Sequence, residues 1–133
     1  MTGAPGERLI LASGSAARRD MLAGAGVPFT VRPADVDEVA LKAGLTHVDP
    51  AELALELARA KALDVSRHDS EAWVLGADQT LAFDNGLVSK APSLDAARVR
   101  LVTMRGRRHQ LHSGAALARD GRLVWSGVAT ATL

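Results

Sequence analysis

The chain has no cysteine and no tyrosine, and only two tryptophans and two phenylalanines in 133 residues. Without cysteine, disulfides and zinc–thiolate sites are excluded. With so few aromatics the core has to be aliphatic, and there is no row of aromatic platforms on which nucleic-acid bases would stack. The N-terminal stretch MTGAPGERLILASGS has too short an apolar run for a signal peptide or a membrane span. A cytoplasmic protein is the expectation. An excess of one charge is missing as well: 16 Lys+Arg stand against 15 Asp+Glu, a net charge of +1. That excludes the overall basic field of a nucleic-acid or membrane-surface binder, so neither partner is expected. A weaker idea, a nucleic-acid module using the local cluster Arg105, Arg107 and Arg108, has this near-neutral charge against it. There is no Walker-type phosphate loop and no Gly-x-Ser-x-Gly elbow.

What is present is ordinary globular composition, 47% hydrophobic and 23% charged, in a length that suits one domain over residues 1–133. Residues 1–7, with Gly and Pro, read as a disordered lead-in. Arg8 to Ala12 reads as a buried strand closed by Ser13–Gly14–Ser15. A helix follows from Ala16 to Ala25, with Met21, Leu22 and Ala25 on one face and Gly26 as its C-terminal cap. A short strand runs from Thr30 to Arg32, and Asp35 to Thr46 reads either as loop or as a helical turn. Asp49-Pro50-Ala51-Glu52 is a helix start, with a capping Asp, Pro at the first position and Glu at the capping-box position. That helix is expected to reach about Val65. Separate strands are expected at Trp73–Gly76, Thr80–Phe83 and Leu87–Ser89, the last two joined by the hairpin signal Asp84-Asn85-Gly86. Ser93 caps a helix from Leu94 to about Met104. Two strands, His109–Ala118 and Leu123–Leu133, flank Arg119-Asp120-Gly121-Arg122. The alternation implies an α/β or α+β domain with a mixed sheet. The chain stops inside what reads as a strand, which would leave unpaired backbone groups, so the expectation is either that another chain covers this end or that the sequence is incomplete.

The stretch LILASGSAARR carries the most chemistry. A strand breaking into a Ser/Gly turn and then a helix presents free backbone N–H groups to an anion. Ser13, Ser15, Arg18 and Arg19 read as a phosphate clamp, or equally as a capped helix with solvated arginines. Two cations at a helix N-terminus oppose the macrodipole, which favours the clamp. Asp78 follows a buried strand and supplies a carboxylate able to hold a divalent cation or accept a proton from water; a plain turn aspartate is the alternative. Asp35, Asp37 and Glu38 form either part of a metal site or a solvated acidic loop. Lys61 and Lys90 suit phosphate, or the surface. His109 and His112 fall into no metal-ligand pattern and read as structural hydrogen-bonding residues.

Together, LILASGSAARRDMLAGAGVPF, ADVDE, ELARAKA, VLGADQTLAFDNGLVSKAP and GRRHQLHSGAAL resemble, in order and over Leu9 to about Leu117, the Maf family of nucleotide pyrophosphatases. The resemblance implies an elongated α/β fold, a mixed twisted sheet flanked by helices around a central cleft, of the Maf/inosine-triphosphatase kind. It implies hydrolysis of a nucleoside triphosphate between the α- and β-phosphates, giving monophosphate and pyrophosphate, with Mg²⁺ or Mn²⁺ as cofactor and a homodimer as the frequent assembly. It casts Asp78 as proton acceptor for the attacking water. Ser13, Ser15, Arg18, Lys61 and Lys90 become phosphate ligands, and Glu38 with Asp78 metal ligands. The positions that select the base hold Ala17 and Gln79. Gln79 and the Val36-Asp37-Glu38 run match the branch that prefers 7-methyl-GTP. Ala17 lacks the arginine or tryptophan usual there, so the lean is toward 7-methyl-GTP or broad specificity rather than dTTP and UTP. Ala16 replaces the usual proline, Ala91 follows Lys90, and Ser113 replaces the commoner threonine. Family members continue well beyond this length, so the C-terminal part of the domain is expected to be absent. The rival expectation is a catalytically inactive nucleotide-binding or cell-division regulatory module.

Overall fold

The computed structural model describes residues 8–45, 48–83, 86–88, 93–104 and 109–132. The N-terminal lead-in, the Asp84–Asn85 turn, Lys90 and the Arg105–Arg108 cluster lie outside the described residues. The elements are β1 (Arg8–Ala12), α1 (Ala16–Gly24), β2 (Thr30–Val31), α2 (Glu38–Gly44), α3 (Pro50–Ser66), β3 (Ala72–Phe83), β4 (Gly86–Val88), α4 (Leu94–Met104), β5 (His109–Arg119) and β6 (Arg122–Thr132). The strands form one mixed sheet in the order β2-β1-β3-β5-β6, with β4 pairing β3. β1 is parallel to both β2 and β3, while the β3–β5, β5–β6 and β3–β4 pairs are antiparallel.

The long strand β3 corrects the expectation of two strands, Trp73–Gly76 and Thr80–Phe83. The intervening Ala77, Asp78 and Gln79 are paired with Ala115, Gly114 and Ser113 of β5, so the chain stays extended. The other edge of β3 behaves differently. β1 pairs with it only as far as Gly76, and β4 only from Leu81 onward. Among the described residues, positions 77–80 therefore face a gap between two neighbouring strands on that edge.

Helix α3 covers one face of the sheet. Its buried Leu53, Ala54, Leu57, Ala58, Ala62 and Val65 recur at helical spacing. They meet the alternate residues of the strands beneath, and the main cluster joins Ile10, Ala12, Val74, Ala116 and Ala118 to Ala58, Ala62 and Val65. Small side chains let the helix sit low, and two glycines let it sit lower. A Cβ built at Gly76 would lie 2.3 Å from the Ala58 carbonyl oxygen, and one at Gly114 would lie 2.4 Å from that of Ala54. Buried Ser66 adds a polar tie: its Oγ accepts the N–H of Gly121 at 2.9 Å. Gly121 and Asp120, at φ 70° and 53°, make the left-handed two-residue turn between β5 and β6. Arg59 Nε donates to Ser126 Oγ at 3.0 Å and ties α3 to β6.

The ambiguous stretch after β2 resolves as helix α2, because the Asp37 carboxylate caps it by accepting the Ala40 N–H. In α1 the expected buried face is not realised. Met21 is exposed and the helix has no fully buried residue, so its caps hold it more than its packing does. Ser93 caps α4 as its sequence implies, accepting the Ala96 N–H at 3.1 Å.

Two expectations follow. Gly114→Ala forces backbone of α3 away from β5 and should lower unfolding free energy by about 1–3 kcal/mol in urea titrations. Ser66→Ala strands the Gly121 N–H and should cost about 1–3 kcal/mol by the same measurement. Unchanged midpoints would show that helix and sheet are not in this close register.

Candidate active site

β1 ends at Ala12, and the next residues turn out of the sheet at the carboxyl end of a parallel strand, where open α/β sheets place their ligands. Ser15 caps α1, its side chain accepting the Arg18 N–H at 3.3 Å. Ser13 is buried, and its Oγ accepts from the Ser15 N–H at 3.1 Å and from Arg18 Nη1 at 3.2 Å. The turn and the first helical turn are thus one stitched unit. Nothing lies within 4 Å of where a Gly14 Cβ would be, so the turn's surface is open.

Asp78 lies two residues beyond the end of the β1 pairing, in the gap on that edge of β3. Strand alternation turns it toward α3, on the side of Val74, Gly76 and Thr80. There its Oδ1 stands 3.5 Å from Lys61 Nζ and 3.9 Å from Arg18 Nη2. Lys61 also approaches Glu38 Oε1 at 3.5 Å. Lys61 and Asp78 are each only 14% exposed at the side chain. Residues from four separate places in the chain thereby converge: the Ser13–Arg18 turn, the start of α2, the middle of α3 and β3.

These ion pairs are longer than hydrogen bonds. Charge proximity holds them, and both cations keep N–H donors available for an incoming anion. Two carboxylates balance two cations, so the cluster is close to neutral as it stands. Glu38 and Asp78 present hard oxygens to the one ammonium between them, a donor set that suits Mg²⁺ or Mn²⁺. Among the described residues no group of three or more acidic or histidine side chains gathers to hold a metal. Any such ion would therefore complete its shell with water and ligand oxygens, as Mg²⁺ commonly does.

The other candidates separate. Of the acidic trio, Glu38 reaches Lys61, Asp37 is spent on capping α2, and Asp35 is engaged through its backbone N–H, which donates to Asp64 Oδ2 at 2.9 Å. Gln79 faces the opposite side of the sheet from Asp78 and donates to Ser113 Oγ at 3.2 Å. Ala17 is exposed on α1. Arg19 is exposed and outside the cluster's contacts. Lys90 lies outside the described residues. His112 is buried on the α3 side, with Nδ1 2.7 Å from Thr130 Oγ1, a structural hydrogen bond as its sequence context implies. Asp64 and Thr80 were not legible as candidates. Thr80 Oγ1 donates to the Pro50 carbonyl at 2.6 Å, tying the start of α3 to β3. Asp64 has one sequence signal, its i+3 spacing from Lys61, which puts both on one side of the helix.

The fold is shared with solved structures. A HAM1 protein from Coxiella burnetii aligns with a TM-score of 0.60 at 16% identity, covering 95% of this chain and 70% of that one. A nucleoside-triphosphatase (dITP/XTP pyrophosphatase) from Mycobacterium abscessus aligns with a TM-score of 0.54 at 14% identity, covering 94% and 71%. Sequence relatives are much nearer. A nucleoside triphosphate pyrophosphatase of Maricaulis maris is 48% identical over 126 residues, 95% of this chain and 64% of the relative. A 7-methyl-GTP pyrophosphatase of Mesorhizobium japonicum is 46% identical over 127 residues, 94% of this chain and 64% of the relative. The chain thus spans less than two thirds of the length of these curated relatives. The family model described as Maf-like protein matches residues 8–133. The stitched serine turn, the Arg18–Asp78–Lys61 cluster and this match lead to one conclusion: the chain belongs to the Maf family.

Proposed function

We propose that this chain is a nucleoside triphosphate pyrophosphatase that splits the α–β phosphate bond, and that the cluster around Asp78 is its reaction centre. The observation that carries this reading is the approach of two cations, Arg18 and Lys61, to one carboxylate beside an open helix N-terminus. Ser13, Ser15 and the N–H groups at the start of α1 bind phosphate oxygens, and Arg18 and Lys61 take up charge as the pyrophosphate leaves. Lys90 adds a further cation in this reading.

Asp78 accepts the proton of a water molecule whose oxygen bonds to the α-phosphorus. The bond from that phosphorus to the bridging oxygen breaks, and its electron pair leaves with pyrophosphate. Charge balance supports a divalent cation. Arg18 and Lys61 are already offset by Asp78 and Glu38, so a triphosphate brings several negative charges that the two cations cannot cover. Glu38 and Asp78 are the residues to hold Mg²⁺ or Mn²⁺, which would polarise phosphate oxygens and offset leaving-group charge.

The preference for 7-methyl-GTP or for a broad range of bases belongs to the same proposal, and relatives bearing both kinds of name support it. Ala17 sits on the open surface of α1; Gln79 would read a base only from the opposite face of the sheet. A second copy is the proposed assembly partner, and the cytoplasm the proposed location. Among the described residues, no helix is long and apolar enough to cross a membrane.

The test is pyrophosphate release with Mg²⁺ and dTTP, UTP, CTP, GTP or 7-methyl-GTP. Asp78→Asn is expected to lower turnover by roughly 10²–10⁴-fold. Arg18→Ala should cost about 10²–10³-fold, as the loss of one preorganised electrostatic contact does. Nucleotide binding without turnover in the unmutated chain would replace the enzyme reading with that of a binding module.

A further inference from the structure

We infer that Asp64 is a positioning residue that holds Glu38 at the site, an inference resting on the pyrophosphatase reading above. Helix α2 has seven residues and none is buried, so apolar packing does not hold it in place. In the segment leading into it the Arg32 N–H donates to the Leu11 carbonyl and Ala34 packs against the core, and the segment is tied to α3 by the Asp35 N–H, which donates to Asp64 Oδ2 at 2.9 Å. Three residues later Glu38 opens the helix and reaches Lys61. Asp64 lies one turn beyond Lys61 on α3, so a single rigid helix carries both the anchor of the acidic segment and the cation that its carboxylate faces.

Local helix energetics do not account for an aspartate at this place. Asp64 falls in the last turn of α3, a turn that itself holds no basic residue, and there the macrodipole disfavours negative charge, with Lys61 one turn back and the capping Arg67 as its neighbouring cations in sequence. Its gain comes from the charge-assisted bond to the neighbouring loop. Residues that orient a metal ligand from behind typically change metal affinity 10–100-fold when removed. Asp64 acts in this way on Glu38 without touching substrate or metal itself.

The experiment uses the 133-residue chain and three readouts. They are Mn²⁺ binding, followed by the electron paramagnetic resonance of the free ion with an α,β-methylene nucleoside triphosphate present, amide hydrogen exchange, and pyrophosphate release. Asp64→Ala is expected to weaken Mn²⁺ binding by roughly tenfold and to speed exchange over the Asp35–Glu38 segment, leaving the exchange of β3 and β5 unchanged. Asp64→Asn, which keeps an acceptor oxygen, should restore most of the affinity. In a Glu38→Gln background, Asp64→Ala should have no further effect on Mn²⁺. Exchange at Asp35–Glu38 equal to that of the unmutated chain, or an equal loss of Mn²⁺ affinity in the Glu38→Gln background, would overturn the positioning role. Absence of pyrophosphate release by the unmutated chain, with the Mn²⁺ coupling intact, would instead remove the pyrophosphatase reading.

Discussion

The close seat of α3 on the sheet is the constraint from which the site follows. Gly76 lies directly under Ala58 and Ala62, where even a methyl group would collide with helix backbone. That contact brackets Lys61 in sequence. It sets the height of the lysine above β3, and with it the 3.5 Å to Asp78 two residues along the strand. A helix held an ångström or two farther out would leave the ammonium and the carboxylate solvated apart. The alanine-rich core and the scarcity of aromatics are the same fact seen from the inside, since bulkier side chains would lift the helix.

The second ingredient is a gap. β1 leaves β3 at Gly76 and β4 joins it only at Leu81, so among the described residues a few positions of a long central strand lack a neighbour on one edge. Asp78 occupies that stretch while β5 keeps its backbone rigid on the other side. The end of β1 feeds the serine turn into the same opening. A paired strand carries the carboxylate, and Arg18 from the first turn of α1 brings positive charge to it. The balance of Arg18 and Lys61 against Asp78 and Glu38 keeps these partly buried charges paired in the absence of ligand.

Much of the fold was legible along the chain. Caps were clearest: Ser15, Asp49 and Ser93 each start a helix by accepting a backbone N–H three residues on. The Asp120–Gly121 turn was equally plain, because few residues tolerate positive φ. The continuity of β3 was not legible. Gly76, Ala77 and Asp78 look locally like the end of a strand, and only pairing with β5 keeps them extended. Nor could α2 be separated from a loop, since it has no buried face to impose a period on its sequence.

Residue types and order were sufficient to single out Ser13, Ser15, Arg18, Glu38, Lys61 and Asp78 as candidates, and to identify the family. The serine turn was legible because a strand breaking into a helix leaves backbone N–H groups free for an anion, and the family because several motifs stand in the same order along the chain. Tertiary structure alone decided which of the acidic residues faces Lys61 and which side of the sheet receives Asp78 rather than Gln79. It also brought Asp64, absent from every motif, against the loop that leads to Glu38. The reason is geometric: strand alternation, helix rotation and the depth of α3 on its glycines are set by contacts between segments far apart in the chain, and no local pattern records them.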